Sequence, residues 1–387
     1  VPFNALEDYA RFICGRLRGA GYQAFFVGGC VRDHLLGHLA KDYDVATDAS
    51  PEGVLQLFPD AGVVGAHFGV VLVREDRWQV EVATFRSDAE YSDGRRPDAV
   101  RFVTDPKHDA ERRDFTINAL FLDPETDRIL DFVGGRADLA AGLIRAIGDP
   151  EARFEEDRLR LLRAVRFAAR LGFQIEPRTF DAIRRMAPLV KLVAVERVRE
   201  ELHRILPEGR RGLDLLQETG LLSELLPEVS YTEEVKQRLD RTAELSPSLA
   251  WAALLLNAPH GTAVTIANRL RFSISEFDGL ANLLASRGRV REIEMMSLAN
   301  RKRLMRDPQF DEYLALHRMC GEPVPDLPRY SDTDLHPARL LTGLDLIDLG
   351  YPQGPLYSRI LSALEDAQLE GSLGNREEAV RWLRSRF

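Results

Sequence analysis

Residues 25–47 read Phe25-Phe26-Val27-Gly28-Gly29-Cys30-Val31-Arg32-Asp33, then His34 to Ala40, then Lys41-Asp42-Tyr43-Asp44-Val45-Ala46-Thr47. The pattern predicts a short apolar strand, a tight glycine turn, a short helix and a second strand carrying two acids. Side chains alternate along a strand, so Asp42 and Asp44 are expected on one face of a sheet. Two carboxylates on rigid backbone, beside glycines with unobstructed N–H groups, can hold a divalent metal against phosphate oxygens. A plainer reading, a Gly-Gly turn followed by two solvated acids, fits the same residues. This stretch alone leaves both open.

Outward from it, Leu6, Tyr9, Ile13, Cys14 and Leu17 have the spacing of an amphipathic helix. Ser50-Pro51-Glu52 reads as an N-cap with proline at the first helical position. Phe68–Val73 and Trp78–Phe85 predict two strands around a polar turn at Arg74–Arg77. In the second of these, Glu81 shares a face with Gln79 and Ala83, which makes it the natural third carboxylate beside Asp42 and Asp44. A solvent-facing strand residue is its plainer alternative. Residues 86–110 predict a long charged loop of the kind that is often functional. Glu111–Leu122, Arg128–Phe132 and Gly134 to Leu139 then read as helix, strand and turn.

Beyond about residue 140 the strand signals fade. Arg153–Leu171 predicts one strong helix, with Leu159, Leu162, Phe167 and Leu171 on one side and Arg160, Arg163, Arg166 and Arg170 in a stripe on another. Further helices are expected at 177–187, 195–206, 211–218 and 248–257, and Pro323–Pro328 is a linker candidate. The layout is α+β, an α/β head followed by a long helical remainder.

The net charge of −9 argues against a nucleic-acid partner, but its distribution argues the other way. Between Arg153 and Arg211 fourteen arginines and one lysine face nine acids. Arginine forks bind phosphate and base edges bidentately. The cysteines, Cys14, Cys30 and Cys320, are scattered without ligand spacing and predict a reducing, cytoplasmic setting. The longest apolar run, Leu249–Leu256, is far too short for a membrane span.

Five stretches now line up. Gly28-Gly29-Cys30-Val31-Arg32-Asp33 with Asp42-Tyr43-Asp44 resembles the first motif of the class II tRNA nucleotidyltransferase and bacterial poly(A) polymerase family. Arg112-Arg113-Asp114-Phe115-Thr116-Ile117-Asn118-Ala119-Leu120 is similar to its second motif, and Asp131-Phe132-Val133-Gly134-Gly135 with Asp138-Leu139 to its third. Glu156-Asp157-Arg158-Leu159-Arg160, running on to Arg163, Arg166 and Phe167, resembles its nucleotide-selecting helix. Glu196-Arg197-Val198-Arg199-Glu200-Glu201-Leu202 resembles its fifth motif. Together they cover about residues 25–205 in the family's order.

The resemblance implies a polymerase-β-like nucleotidyltransferase head at 1–140. After it come a helical neck at 141–206, a body at 207–325 and a tail at 326–387 that holds tRNA. It implies that Asp42 and Asp44 bind Mg²⁺ and that Glu81 supports a metal or the attacking hydroxyl. Gly28, Gly29 and Arg32 would meet the phosphates, and Arg113 the nucleotide. Arg163 and Arg166 match positions that also contact the nucleotide, while Asp114 and Asn118 fix local structure. The implied partners are the tRNA 3′ end, CTP and ATP, with neither membrane nor DNA.

Asp157 and Arg160 carry the choice of base. Three residues apart on a helix, they are expected to face the same way. A carboxylate accepts from the exocyclic amine of cytosine or adenine, and a guanidinium donates to cytosine N3 or adenine N1. Guanine and uracil present the opposite pattern, at about 1–3 kcal/mol for each unsatisfied buried group. A surface ion pair at this spacing, the plainer alternative, is worth about 0.2–0.5 kcal/mol.

Two stretches bear on which member this is. Poly(A) polymerases usually carry a basic segment where this chain has Val64-Gly65-Ala66-His67-Phe68-Gly69-Val70, and Tyr91–Asp98 resembles the loop of CCA-adding members. A-only members retain that loop and stay open. Leu249–Asn257 looks like the start of a fused HD phosphohydrolase segment, but Leu256-Asn257 stands where the His-Asp ligands would be. No phosphohydrolase activity is expected from it.

Overall fold

The computed structural model describes residues 5–63, 69–88, 100–241 and 245–387. Most of Val64–Val70 and all of Tyr91–Asp98, the two stretches that separate CCA-adding from poly(A)-adding members, lie outside them. The chain divides into two compact units. One runs to Pro227 and takes in Arg269–Arg271; the other comprises Glu228–Asn268 and Phe272–Phe387.

The first unit begins with α1 (Leu6–Gly19), β1 (Ala24–Val27), α2 (Gly29–Leu35), β2 (Asp44–Thr47) and α3 (Pro51–Leu57). The Ser50 hydroxyl caps α3 by accepting from Gly53 N. Next come β3 (Gly62–Val63) and the hairpin of β4 (Val70–Glu75) and β5 (Trp78–Thr84). The hairpin turn is tighter than expected: Arg74 and Glu75 pair with Gln79 and Trp78, and only Asp76 and Arg77 remain to turn the chain. Asp76 takes a φ of 51°, as two-residue hairpin turns require.

The charged stretch after β5 is not wholly irregular either. Its ends pair as β6 (Arg86–Asp88) and β7 (Val100–Phe102), and α4 (Pro106–Glu111) follows. Residues 111–122 are not the expected helix. After one 3₁₀ turn at Thr116–Asn118, the chain enters β8 (Leu120–Leu122), which pairs with β1 and with β9 (Ile129–Asp131). Phe115, Ile117, Leu120 and Phe121 are all fully buried. A segment covered on both faces belongs in the middle of a sheet rather than on one helix face. The seven-stranded sheet has the order β3-β4-β5-β2-β1-β8-β9, antiparallel except for the β2–β5 pair. Val27, Ala46, Phe85, Ala119 and Phe121 form part of the core beneath it.

The third motif opens α5 (Gly135–Ala141), followed by β10 (Leu143–Ile144), α6 (Pro150–Glu156), α7 (Arg160–Leu171), β11 (Gln174–Ile175), α8 (Pro177–Met186) and α9 (Val195–Ile205). The expected single helix over Arg153–Leu171 is therefore two. Asp157 sits between them in an extended conformation, φ −144° and ψ 103°. Its Oδ1 accepts from Leu159 N at 3.0 Å, a local bond that competes with helix continuation.

In the second unit, the helix Pro247–Leu255 is buried from Leu249 to Leu255, with Trp251 1 % exposed. Residues 322–331 are irregular. The C-terminal helices Gly343–Asp348, Pro355–Leu369 and Arg376–Arg386 gather round Leu346, Ile360, Leu364 and Leu383. No helix of the described residues is long and apolar enough to cross a membrane.

Gly135 gives the fold's sharpest test. A methyl group there would stand 2.2 Å from the Thr116 carbonyl oxygen and 3.0 Å from Leu120 Cδ2. Backbone has to shift to admit it, so Gly135→Ala should cost about 1–3 kcal/mol in denaturant-induced unfolding. An unchanged midpoint would refute this packing of α5 on the 3₁₀ turn.

Candidate active site

Val27 is the last residue of β1 and pairs with Asp44, the first of β2. Gly28 then turns the chain away with φ 74°, so no strand continues opposite Asp42. Asp42 therefore lies in irregular, exposed chain just before β2, so the strand expected to carry both acids begins only at Asp44. The partner of Asp44 across the sheet is Glu81, in parallel register on β5. Residues paired in this way present their side chains to one face, so two carboxylates stand side by side.

Burial raises the Asp44 carboxyl to about 6, helped by the charges of Glu81 and Asp42 and opposed by Arg113. Among the described residues no three metal-binding side chains already converge on one point. A small hard dication does not need that. It commonly takes one or two carboxylates and completes its shell with water and substrate phosphate. A raised Asp44 carboxyl with anionic neighbours fits such an ion.

Gly28 stands between the groups of opposite sign. A methyl group on it would lie 3.5 Å from Arg113 Nη1 and 3.7 Å from Asp44 Oδ2. Arg113 is held in place by Asp109, whose Oδ2 accepts from its Nη2 at 3.0 Å and its Nε at 3.2 Å, and it lies over the Phe121 ring. Asp109 is 1 % exposed; its Oδ1 takes Arg112 and, at 3.3 Å, the backbone N of Arg86 at the root of the β6–β7 hairpin. Burial alone would raise that carboxyl, and the charges of Arg113 and Arg112 hold it below the usual range.

A second chain of bonds leads from the first motif to α7. Arg32 is buried, donates to Asn118 Oδ1 at 2.8 Å and to Asp33, and lies over Phe167. Asn118 Nδ2 donates to Asp114 Oδ1, which also accepts from Phe115 N. Asp114 Oδ2 accepts from Arg163 at 2.5 Å. Burial would raise Asp114, yet Arg163 with its charge and hydrogen bonds holds it at about 2. Gly29 starts α2 with its backbone close to Arg32.

The arginines of α7 are not a one-sign face. Arg163 is taken by Asp114, and Arg166 by Glu201 of α9 at 3.3 Å. Arg160, 8 % exposed, donates to Glu156 at 2.6 Å and to the carbonyls of Arg153 and Arg112. The compensating acids come from other elements, which a single-helix projection hides. Asp157 precedes α7 rather than sharing its surface with Arg160, and its carboxylate faces Arg197 of α9.

Asp109, Glu156, Arg197 and Glu201 are supporting groups to which the sequence reading assigns no role. Local spacing carries a signal for two of them: Asp109 precedes Arg112 and Arg113 by three and four, and Glu156 precedes Arg160 by four.

The shift on Asp44 sets a test. A carboxyl raised from 3.8 to about 6 favours the folded state at acid pH, and that contribution is lost as pH rises through about 6. Above it, ionised Asp44 opposes folding, and a bound dication relieves the opposition. Magnesium chloride should therefore raise the melting temperature more at about pH 7.5 than at about pH 5. Asp44→Asn should remove the difference. Equal shifts in both proteins at both pH values would rule out a metal here.

Comparison with known proteins agrees with this geometry. Residues 24–145 match the poly A polymerase head domain, and residues 172–232 match a probable RNA- and SrmB-binding site of polymerase A. The chain is 35% identical over 389 residues to a CCA-adding enzyme of Streptococcus pneumoniae serotype 19F, covering 94% of each chain. It is 34% identical over 396 residues to that of a Geobacillus strain, WCH70, covering 95% of this chain and 94% of the other. The crystal structure of the Bacillus stearothermophilus CCA-adding enzyme in complex with CTP superposes with a TM-score of 0.73 and 30% identity, over 99% and 98% of the two chains. Similarity that runs through the helical remainder as well as the head places the chain in one group: it belongs to the CCA-adding enzymes, nucleotidyltransferases with a poly(A)-polymerase-type head.

Proposed function

We propose that this chain adds C, C and A to the 3′ end of tRNA from CTP and ATP, without a nucleic-acid template. The observation that carries the reading is its similarity to CCA-adding enzymes over more than nine-tenths of both lengths. In the reaction the 3′-hydroxyl oxygen forms a bond to the α-phosphorus, and the bond to the pyrophosphate oxygen breaks.

Asp42 and Asp44 would hold Mg²⁺, which supplies Lewis-acid stabilisation of the phosphate charge when bound. Glu81, exposed beside Asp44, orients the attacking hydroxyl. Arg113 and the backbone at Gly28 and Gly29 meet the triphosphate, and the φ of 74° at Gly28 is one that residues with side chains rarely adopt. Arg32 supports this floor through Asn118. Asp157 accepts from the base amine and Arg160 donates to the ring nitrogen. Arg163 and Arg166 hold the selecting helix with their bound acids and offer their remaining N–H groups to the nucleotide. Head, neck, body and tail at 1–140, 141–206, 207–325 and 326–387 divide the labour, with the tail gripping tRNA. The three free cysteines, two of them buried, suit a reducing cytoplasm.

The test offers tRNAs ending before CCA, before CA and before A, each with CTP, ATP or both. All three should be completed to CCA. Extension of the last alone would show an A-adding enzyme, and long A tails on unrelated RNA a poly(A) polymerase. Asp42→Ala should lower incorporation at least about a hundredfold, the loss expected when several kcal/mol of charge stabilisation disappears.

A further inference from the structure

Asp157 is the acceptor on which base choice rests, and the structure shows what already occupies it. Its Oδ1 accepts from Leu159 N at 3.0 Å and from Arg197 Nη1 at 3.2 Å, and its Oδ2 accepts from Arg197 Nη2 at 2.8 Å. An ionised carboxylate offers about four acceptor positions. Among the described residues three are filled, two on Oδ1 and one on Oδ2, which leaves an acceptor position on Oδ2. We infer that Arg197 is a positioning residue for nucleotide selection, fixing the Asp157 carboxylate so that this last acceptor meets the base amine.

The geometry suits that task. Two parallel N–H···O bonds from a planar guanidinium fix the plane of the carboxylate, which a single bond or a lysine cannot do. The pair is half-shielded, at 25 % and 18 % side-chain exposure, so water does not readily replace the fork. Arg197 is itself delivered on a fixed element. One turn further along α9, Glu201 meets Arg166 of α7, and both are buried. The polarity of this second pair is the reverse of the first, acid on α9 and base on α7. Two such pairs of opposite sense specify one register of α9 against the selecting segment, since a slip brings like charges together.

The opposite role would be a latch, in which Arg197 competes with the incoming base for Asp157. The single bond that Oδ2 accepts among the described residues speaks against it, since the base amine can bind there without displacing the fork.

The inference rests on the reading of Asp157 proposed above, and one set of variants separates the two. Equilibrium binding of CTP, ATP, UTP and GTP, and single-nucleotide extension of a tRNA lacking CCA, are measured on the full chain. The proteins are wild type, Arg197→Met, Arg197→Lys, Asp157→Ala and the double variant, each with a melting temperature. Arg197→Met should lower the preference for CTP over UTP about tenfold, mainly through KM, with one well-placed hydrogen bond lost. Arg197→Lys should restore part of it, having the charge without the fork. The double variant should discriminate no worse than Asp157→Ala, because Arg197 acts through that carboxylate.

Unchanged discrimination in Arg197→Met beside a lowered melting temperature would make Arg197 a structural brace only and overturn the inference. Losses that multiply in the double variant would also overturn it. So would tighter CTP binding by Arg197→Met, the mark of a latch. A wild type that prefers no nucleotide would overturn the reading of Asp157 as well.

Discussion

The ion pair of buried Asp114 with half-buried Arg163 joins the segment proposed to hold phosphate to the segment proposed to select the base. On one side Asp114 fixes the 3₁₀ turn through Phe115 N and Asn118, and Asn118 in turn fixes Arg32. On the other, Arg163 docks α7. Removing one partner of such a pair leaves a charge without compensation, which costs more than the pair contributes when intact. The hydrophobic contact of Phe115 with Phe167, ring centres 5.8 Å apart, runs alongside and excludes water from the junction. The segments proposed for base selection and for phosphoryl transfer are thus mechanically continuous over a few side chains.

The ends of this junction differ in character. At the sheet, like charges are crowded: Asp44 and Glu81 face one another across neighbouring strands with Asp42 close by. At α7, Arg160, Arg163 and Arg166 each meet an acid or a carbonyl. An unneutralised anionic cluster calls for a cation from outside the chain. A neutralised cationic helix keeps its geometry when no nucleotide is bound. Preorganised donors of this kind lower the cost of ordering the site when substrate arrives.

Much of this was legible in the residues. The strand, turn, helix and strand of residues 25–47, the β4–β5 hairpin, and the outward alternation of Glu81 followed from periodicity and turn chemistry. What periodicity could not give was anything decided by a distant partner. Residues 115–122 are apolar apart from Thr116 and Asn118, a pattern that a helix and a buried strand both accept, and pairing with β1 settled the matter. The apolar spacing lapses over Glu155–Arg158, which an exposed helical face also accepts, so the break at Asp157 is decided by the bond its side chain makes to Leu159 N. The arginine stripe looked uncompensated because Asp114 and Glu201 come from elsewhere in the chain.

Asp109 has a consequence for how the protein can be altered. One carboxylate carries both the backbone at the root of the β6–β7 hairpin and the guanidinium that stands beside Gly28 and Asp44. A hairpin transplanted from a relative would succeed only if its first residue kept the same phase at that oxygen. Otherwise the graft would drag Arg113 with it, and a change meant for the loop would surface as a defect at the triphosphate. Loop and arginine are inherited as one part.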